Sequence, residues 1–272
     1  MNEKHKRLAH RHLVDQVGKD IDVLKEGLFK AGEIALDYWR KGVKAEIKTA
    51  SYDITTEADR AVENYLIEEI RKYFTNAHIL GEETGGEARQ DGFTIDGIDG
   101  SSFFARGLKD WAISLSQIQD GKVTLGMVYS PANGELYYGK KGHGTYLNGR
   151  KIHISGEDNL KNSIINLGQD VARIYNMSEI EQRFIKSSRA HYTIASSALS
   201  YGRLAAGSID IAVHPGQPIW DVAPGIILVN EAGGRFTNWD GKESFTITRE
   251  RKNNVIASNG LLHQQALQLL NP

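Results

Sequence analysis

The 272-residue chain carries 40% hydrophobic and 25% charged residues, with a formal net charge of −1. This balance excludes a generic binder of nucleic-acid polymers or of anionic membranes. The absence of cysteine removes disulfides, thiolate nucleophiles and cysteine-ligated zinc, so any metal must be held by oxygen or histidine.

The length fits two compact halves. The basic start Met1–Arg7 is followed by no apolar run of signal-peptide or membrane length, so a cytoplasmic protein is expected. Residues 20–40 read as an amphipathic helix, with Ile21, Leu24, Leu28, Ala31, Ala35 and Trp39 at helical spacing. Residues 57–74 read as a second, opened by Thr56 and Asp59 in the manner of a capping box. Residues 81–92 contain a Glu-Glu-Thr-Gly-Gly run and are the best candidate for a mobile loop. From Phe93 to Ile152 short alternating runs are punctuated by Asp120-Gly121, Asn133-Gly134 and Asn148-Gly149, which predict hairpins and hence an antiparallel meander.

The polar segment Ser155–Asn159 marks a change of pattern, giving halves at 1–154 and 155–272. In the second half the periodicity predicts strand at Ser163–Leu167, helix at 178–187, strand at Tyr192–Ala195, helix at 197–206 and strand at Ile209–Val213. A helix following Asp221 and ending at Gly233-Gly234, a strand at Asn254–Ala257 and a C-terminal helix complete the chain. The fold class expected is α/β in the α+β sense, with two sheets.

The densest chemistry lies in Phe93–Ser102, where Asp96 and Asp99 are set among glycines directly after a strand. An Asp-Gly pair there is equally an ordinary turn. Glu82 and Glu83 follow the apolar pair Ile79-Leu80 and read either as site carboxylates or as a solvated acidic loop. Asp221 reads as a ligand or an N-cap, and Asp59 as a site residue or a capping-box member. If Glu82, Asp96, Asp99 and Asp221 converge, each pair about 5 Å apart repels by about 3 kcal/mol at a dielectric of about 20 and demands cations. Oxygen-only donors select Mg2+, Mn2+ or Ca2+ over zinc, and paired metals suit attack of water on a phosphate ester.

Four ordered motifs resemble the inositol monophosphatase family of the magnesium-dependent, lithium-sensitive phosphatase superfamily. Asp96-Gly97-Ile98-Asp99-Gly100-Ser101 is similar to its Asp-Pro-Ile-Asp-Gly-Thr. Trp220–Ala223 with Glu231–Gly234 resembles its Trp-Asp-Val-Ala and Glu-Ala-Gly-Gly. Gly81-Glu82-Glu83 and Thr56–Asp59 match its remaining two motifs. The resemblance implies a layered α-β-α-β-α sandwich and an Mg2+-dependent phosphomonoesterase for a small phosphorylated polyol, sugar or nucleotide, acting by direct attack of metal-activated water, with two to three ions per site, Mn2+ being an alternative. It also implies a small-molecule phosphate ester as partner and a homodimer.

By the same resemblance Glu82, Asp96 and the carbonyl of Ile98 hold one metal, while Asp96, Asp99 and Asp221 hold a second. Ser101 and Asp59 position the attacking water, so Asp59, Ser101 and Glu82 are the catalytic candidates. Gly100, Ser101 and Ser102 receive the phosphate, and Ala195-Ser196-Ser197 with His214 lie beside the rest of the substrate. Lys48 maps to a family lysine near the site, and reads equally as a surface lysine. Three departures bear on substrate. Gly97 replaces proline, which predicts a less rigid metal loop. Phe103 stands where a polar residue is common. His214 replaces a glutamate that contacts a ring hydroxyl, and it reads as a phosphate ligand or as an exposed loop histidine. Fructose 1,6-bisphosphate, 3'-phosphoadenosine 5'-phosphate and histidinol phosphate are the runner-up substrates. A non-catalytic phosphometabolite-binding protein is the alternative class.

Overall fold

The computed structural model describes residues 18–50, 53–87, 89–169, 178–250 and 252–270. Two long helices open the chain, α1 (Lys19–Lys41) and α2 (Glu57–Tyr73), with a short hairpin β1 (Glu46–Ile47) and β2 (Ile54–Thr55) between them. The predicted capping box forms: the Thr56 hydroxyl accepts the Ala58 N–H, and the Asp59 carboxylate accepts the Thr56 N–H at 2.8 Å. Among the histidine-bearing N-terminal residues of the sequence, His5, His10 and His12 lie outside the described residues.

A seven-stranded sheet follows, in spatial order β3 (Ile79–Gly81), β4 (Gly92–Asp99), β5 (Ala112–Gln119), β6 (Lys122–Ser130), β7 (Glu135–Lys140), β8 (Gly144–Leu147) and β9 (Arg150–Ile152). β3 pairs parallel to β4, and from β4 onward the sheet is the predicted antiparallel meander. The turns at Asp120-Gly121 and Asn148-Gly149 place all four residues in the left-handed region, as a two-residue hairpin loop requires. A one-turn helix α3 (Ser101–Phe104) interrupts the run between β4 and β5.

The second sheet has the order β11-β10-β12-β14-β13. Its strands are β10 (Ile164–Leu167), β11 (Ala190–Tyr192), β12 (Ile211–Gln217), β13 (Arg235–Asn238) and β14 (Asn253–Ser258), and its helices are α4 (Ser178–Ser187), α5 (Ser197–Ala205), α6 (Ile219–Glu231) and α7 (His263–Leu270). β11 ends where the sequence pattern begins its strand, because the three residues that pair with β10 are all exposed and carry no alternation. β13 has no counterpart in the sequence reading; only four residues long, it pairs along β14 straight after the Gly233-Gly234 helix stop.

Strand alternation sorts the side chains into layers. Ile113, Leu115, Leu125 and Met127 face α1 and α2, whereas Ala112 and Val128 face α5 and α6. Across the second sheet, Ala212, Val255 and Ala257 face α6, while Ile211, Val213 and Ile256 meet α4 and α7 on the far side. The result is a five-layer α-β-α-β-α sandwich in which α5 and α6 are buried between the sheets. Gly126 permits a close approach of α6 to the first sheet, since a Cβ there would sit 2.7 Å from the Pro224 carbonyl oxygen. No helix among the described residues is long and apolar enough to cross a membrane.

Candidate metal centre

A cleft of about 400 Å³ opens where the end of β4 meets the starts of α3, α5 and α6. Residues three apart on a regular strand point to opposite faces. Asp96 pairs with Ser114 but Asp99 pairs with Ala112, so β4 holds one extra residue between them. That bulge re-aims the strand, and both aspartates line the cleft.

Oxygens of Glu82, Asp96 and Asp221 lie within 4.8 Å of one another. Burial, followed by the charges of Glu82, Asp221 and Asp99, holds the Asp96 carboxyl well above the usual carboxylate range. Asp221 is raised in the same way, by burial and then by Asp99 and Glu82, with Lys252 opposing. Its Oδ1 is buried and has no hydrogen-bond partner among the described residues, the sign of an oxygen meant for something outside the protein. Lys48 is drawn into this cluster. Its ammonium lies 2.6 Å from both Glu82 Oε1 and Glu83 Oε1. Burial works against the charged form, but the two glutamates outweigh it and raise the Lys48 pKa.

Asp99 is held differently. Its Oδ2 accepts the Ser196 hydroxyl at 2.6 Å and the Ala198 N–H at 2.8 Å, so it caps the positive end of α5. Burial nonetheless pushes its pKa up to about 7. Of the expected substrate-side turn, Ala195 and Ser197 line the cleft, whereas Ser196 turns away to bind Asp99. Gly100, in the left-handed region at φ 96°, starts α3 with Ser101 and Ser102 on the cleft wall.

Ser101 Oγ lies 2.6 Å from Asp59 Oδ1 and 2.8 Å from the Ile98 carbonyl. Its single proton favours the carboxylate, and the hydroxyl lone pairs then face the cleft. The Asp59 pKa is pushed up to about 6 by burial, against the hydrogen bonds from Ser101 and Thr56.

Two sequence expectations are corrected here. Residues 81–92 include a turn that is fastened rather than free. Gly81 N–H bonds the Gly85 carbonyl at 2.8 Å, and the buried Glu63 accepts Thr84 N–H at 2.9 Å and Thr84 Oγ1 at 2.7 Å. Glu63 follows Asp59 by one helical turn, so α2 directs both carboxylates at the site from one face. Nor is His214 an exposed loop residue. It sits within β12, 2% exposed, and burial lowers its pKa to about 3. The Ser200 hydroxyl lies 2.7 Å from the Ser197 carbonyl and 3.0 Å from His214 Nε2, so its one proton goes to one or the other and the ring tautomer follows that choice. In either tautomer a neutral imidazole suits a hydroxyl and brings no positive charge to a phosphate.

Gly97 also differs from expectation. It has no left-handed φ among the described residues; instead it lies against α2, where a Cβ would collide with the Asp59 carbonyl oxygen. This is a contact fit, not a loosened loop. The helix carrying Asp221 begins at Ile219, two residues earlier than the sequence pattern, with Pro218 at its cap. Pro224 inside it has no N–H to give the Trp220 carbonyl, and Ser114 Oγ on β5 donates to that carbonyl at 2.8 Å instead. The proline thereby ties the Asp221 turn to the first sheet.

The sequence matches the Inositol monophosphatase family over residues 19–272. The chain belongs to this family. As an inositol monophosphatase-family protein it is a phosphoric monoester hydrolase of layered α/β fold. It is 34% identical over 244 residues to a Thermotoga maritima fructose-1,6-bisphosphatase/inositol-1-monophosphatase, covering 90% of this chain and 93% of the relative. A Mycobacterium tuberculosis histidinol-phosphatase is 31% identical over 225 residues, covering 79% and 84%. The solved structure of a Thermotoga maritima IMPase, 34% identical, superposes with a TM-score of 0.84 over 93% of this chain and 96% of that one. The family motif Glu231–Gly234 proves structural: the Glu231 carboxylate accepts the Gly142 and Gly144 N–H groups at 2.8 and 2.9 Å.

Proposed function

We propose that this phosphatase is an Mg2+-dependent phosphomonoesterase for a small phosphorylated polyol or sugar, acting by direct attack of water without a phosphoenzyme. The observation that carries the reading is the cluster of Glu82, Asp96 and Asp221 oxygens within 4.8 Å, beside the Ser101–Asp59 pair. Three carboxylates so close can all stay ionised only beside cations; without them burial and mutual repulsion raise the Asp96 and Asp221 pKa values. The all-oxygen donor set and the unpartnered Asp221 Oδ1 fit a hard divalent ion, Mg2+ or in its place Mn2+.

Glu82, Asp96, Asp99, Asp221 and the Ile98 carbonyl would hold two to three ions. When bound, these would polarise the phosphoryl oxygens, acidify the attacking water and stabilise the leaving alkoxide. Asp59 accepts the Ser101 proton and so turns that hydroxyl's lone pair toward the water, fixing it for attack. Its carboxylate is ionised above about pH 6, which keeps this orientation at neutral pH. The N–H groups of Ser101 and Ser102 open α3 without helical partners and can receive phosphate oxygens. In the balanced reaction water adds to phosphorus, the ester P–O bond breaks, and the alcohol leaves with a proton. On the far wall the neutral His214 ring can pair with a substrate hydroxyl and brings no positive charge to a second phosphate, which favours a polyol or sugar hydroxyl at that point. The inositol-1-monophosphatase activity in the Thermotoga relative's name agrees with such a substrate; its fructose-1,6-bisphosphatase activity requires that a second phosphate lie elsewhere.

The test is phosphate release with Mg2+ across polyol, sugar, nucleotide and histidinol phosphates. Turnover of a sugar or polyol phosphate that stops on chelation supports the reading. Binding of these esters with no release from any of them would overturn it.

A further inference from the structure

Arg249 comes from the segment between β13 and β14, yet it reaches back to the turn that carries Glu82. Its Nη1 donates to the Gly81 carbonyl and its Nη2 to the Glu82 carbonyl, each at 2.7 Å. The guanidinium carbon also stands 5.4 Å from the centre of the Trp220 ring, and Trp220 is the residue directly before Asp221. A single side chain thus touches both the peptide bearing Glu82 and the helical turn bearing Asp221.

The geometry has consequences that a surface charge alone would not. A planar guanidinium gripping two successive carbonyls fixes the orientation of the peptide between them, which an ammonium cannot do. The other ties on this turn come from the first half of the chain: Glu63 holds Thr84, and Lys48 holds the Glu82 side chain. Those ties locate Glu82 relative to α2 and to the β1–β2 hairpin, and Ser114 ties the Asp221 turn to the first sheet, but none of them joins the Glu82 turn directly to the Asp221 turn. Arg249 does so. Glu82 and Asp221 belong to elements far apart in sequence and repel one another, so a direct link between their turns bears on their separation.

We propose that Arg249 is a positioning residue that sets the spacing of the Glu82 and Asp221 carboxylates and thereby the affinity of the site for its divalent ions. The proposal rests on the assignment of these two carboxylates as ligands. Outer contacts of this kind are worth about 10–100-fold in metal affinity.

The experiment is calorimetric titration of the metal-free full chain with Mn2+ alone, beside phosphate release at varied Mg2+, for the parent, Arg249→Leu, Arg249→Lys and Asp96→Asn. Arg249→Leu is expected to weaken Mn2+ binding by about 10-fold or more and to raise the half-activating Mg2+ concentration in step. At saturating Mg2+, kcat should stay within about threefold of the parent. Arg249→Lys, which keeps the charge but loses the fork, should fall between. A role in fastening the loop alone would lower the melting temperature of the metal-free chain and leave metal affinity intact. Metal affinity within about twofold of the parent in Arg249→Lys and Arg249→Leu, with Asp96→Asn no longer binding, would overturn the proposal while sparing the ligand assignment. If Asp96→Asn binds Mn2+ like the parent, the ligand assignment fails and the proposal falls with it. Should Arg249→Leu not fold, the Arg249→Lys titration decides.

Discussion

Asp96→Asn should make the metal-free protein more stable while destroying its response to metal. Asp96 faces both Glu82 and Asp221 with oxygens within 4.8 Å, and at an effective dielectric of about 20 each such pair costs about 3 kcal/mol when both members are ionised. Lys48 already offsets the charge of Glu82, so the relief is set mainly by the Asp221 pair, up to about 3 kcal/mol where both carboxyls are ionised, and because burial and their neighbours raise both pKa values it grows toward high pH. Asparagine retains the oxygen that accepts the Ile98 N–H at 2.9 Å, so the bulge in β4 keeps its hydrogen bond. At about 2–4 °C per kcal/mol for a chain near this size, the melting temperature in chelator should rise by up to roughly 6–12 °C. In 10 mM Mg2+, on the order of a working concentration for hard-cation sites, the parent should gain stability, the variant should not, and phosphate release by the variant should be nearly abolished. Differential scanning calorimetry with and without Mg2+ measures both effects. A variant that melts below the parent in chelator, or that gains as much from Mg2+, would refute the reasoning.

The pH dependence of the metal-free chain carries the same signature. The folded values of Asp59 and Asp99, about 6 and about 7, lie above the ordinary 3.8, so these two groups bind more protons in the folded chain than in the unfolded one in that interval, while His214, lowered to about 3 by burial, works in the opposite sense. The carboxyl contribution is therefore read from the stabilisation by Mg2+, in which the histidine contribution cancels: that stabilisation should grow as pH rises from about 4 to 7; melting curves at stepped pH with and without Mg2+ measure this, and a gain from Mg2+ that does not grow over the interval would contradict it. Ser101→Ala removes the hydroxyl between Asp59 and the cleft, and kcat should fall by about 10²–10³-fold with metal affinity held within about threefold. Calorimetric metal binding beside initial rates checks the separation, and Ser101→Thr should restore most of the rate. Gly97→Ala forces a Cβ against the Asp59 carbonyl oxygen and should cost about 1–3 kcal/mol, read as a lower denaturant midpoint; an unchanged midpoint would mean that α2 does not pack there as described.

The parts of the fold that local pattern dictates were legible in the sequence. The apolar stripes gave α1 and α2 within a residue or two, the Thr56–Asp59 spacing gave the cap, and the Asp-Gly and Asn-Gly pairs gave the hairpins. β11 and β13 were not, because short strands with exposed or mixed faces are specified by their neighbours rather than by alternation. At the site, Asp96 and Asp99 stood out, but the bulge that turns them to the same side did not, since a register shift depends on the partner strand. Glu63 carries no signal of its own within the helix pattern; the turn at Thr84 folded over it is what buries it. Arg249 was invisible for a plain reason: its partners lie 168 and 167 residues away, and its own surroundings, Thr248 and Glu250, carry no motif. His214 was misjudged because Pro215-Gly216 signals a turn, whereas β12 continues through both residues to Gln217.

The cleft is assembled from two kinds of material. The carboxylate floor rests on β4, α2 and a helix tied to the sheet through Ser114, so its geometry is bound into the packing of both layers. The opposite wall is made of single residues from separate elements, among them Gly168, His214, Gln217 and Lys252, none of which holds Glu82 or Asp96 in place. Substitutions on that wall can therefore exchange one alcohol for another while hydrolytic power persists. A library confined to those four positions would be a practical route to phosphatases with altered leaving-group preference.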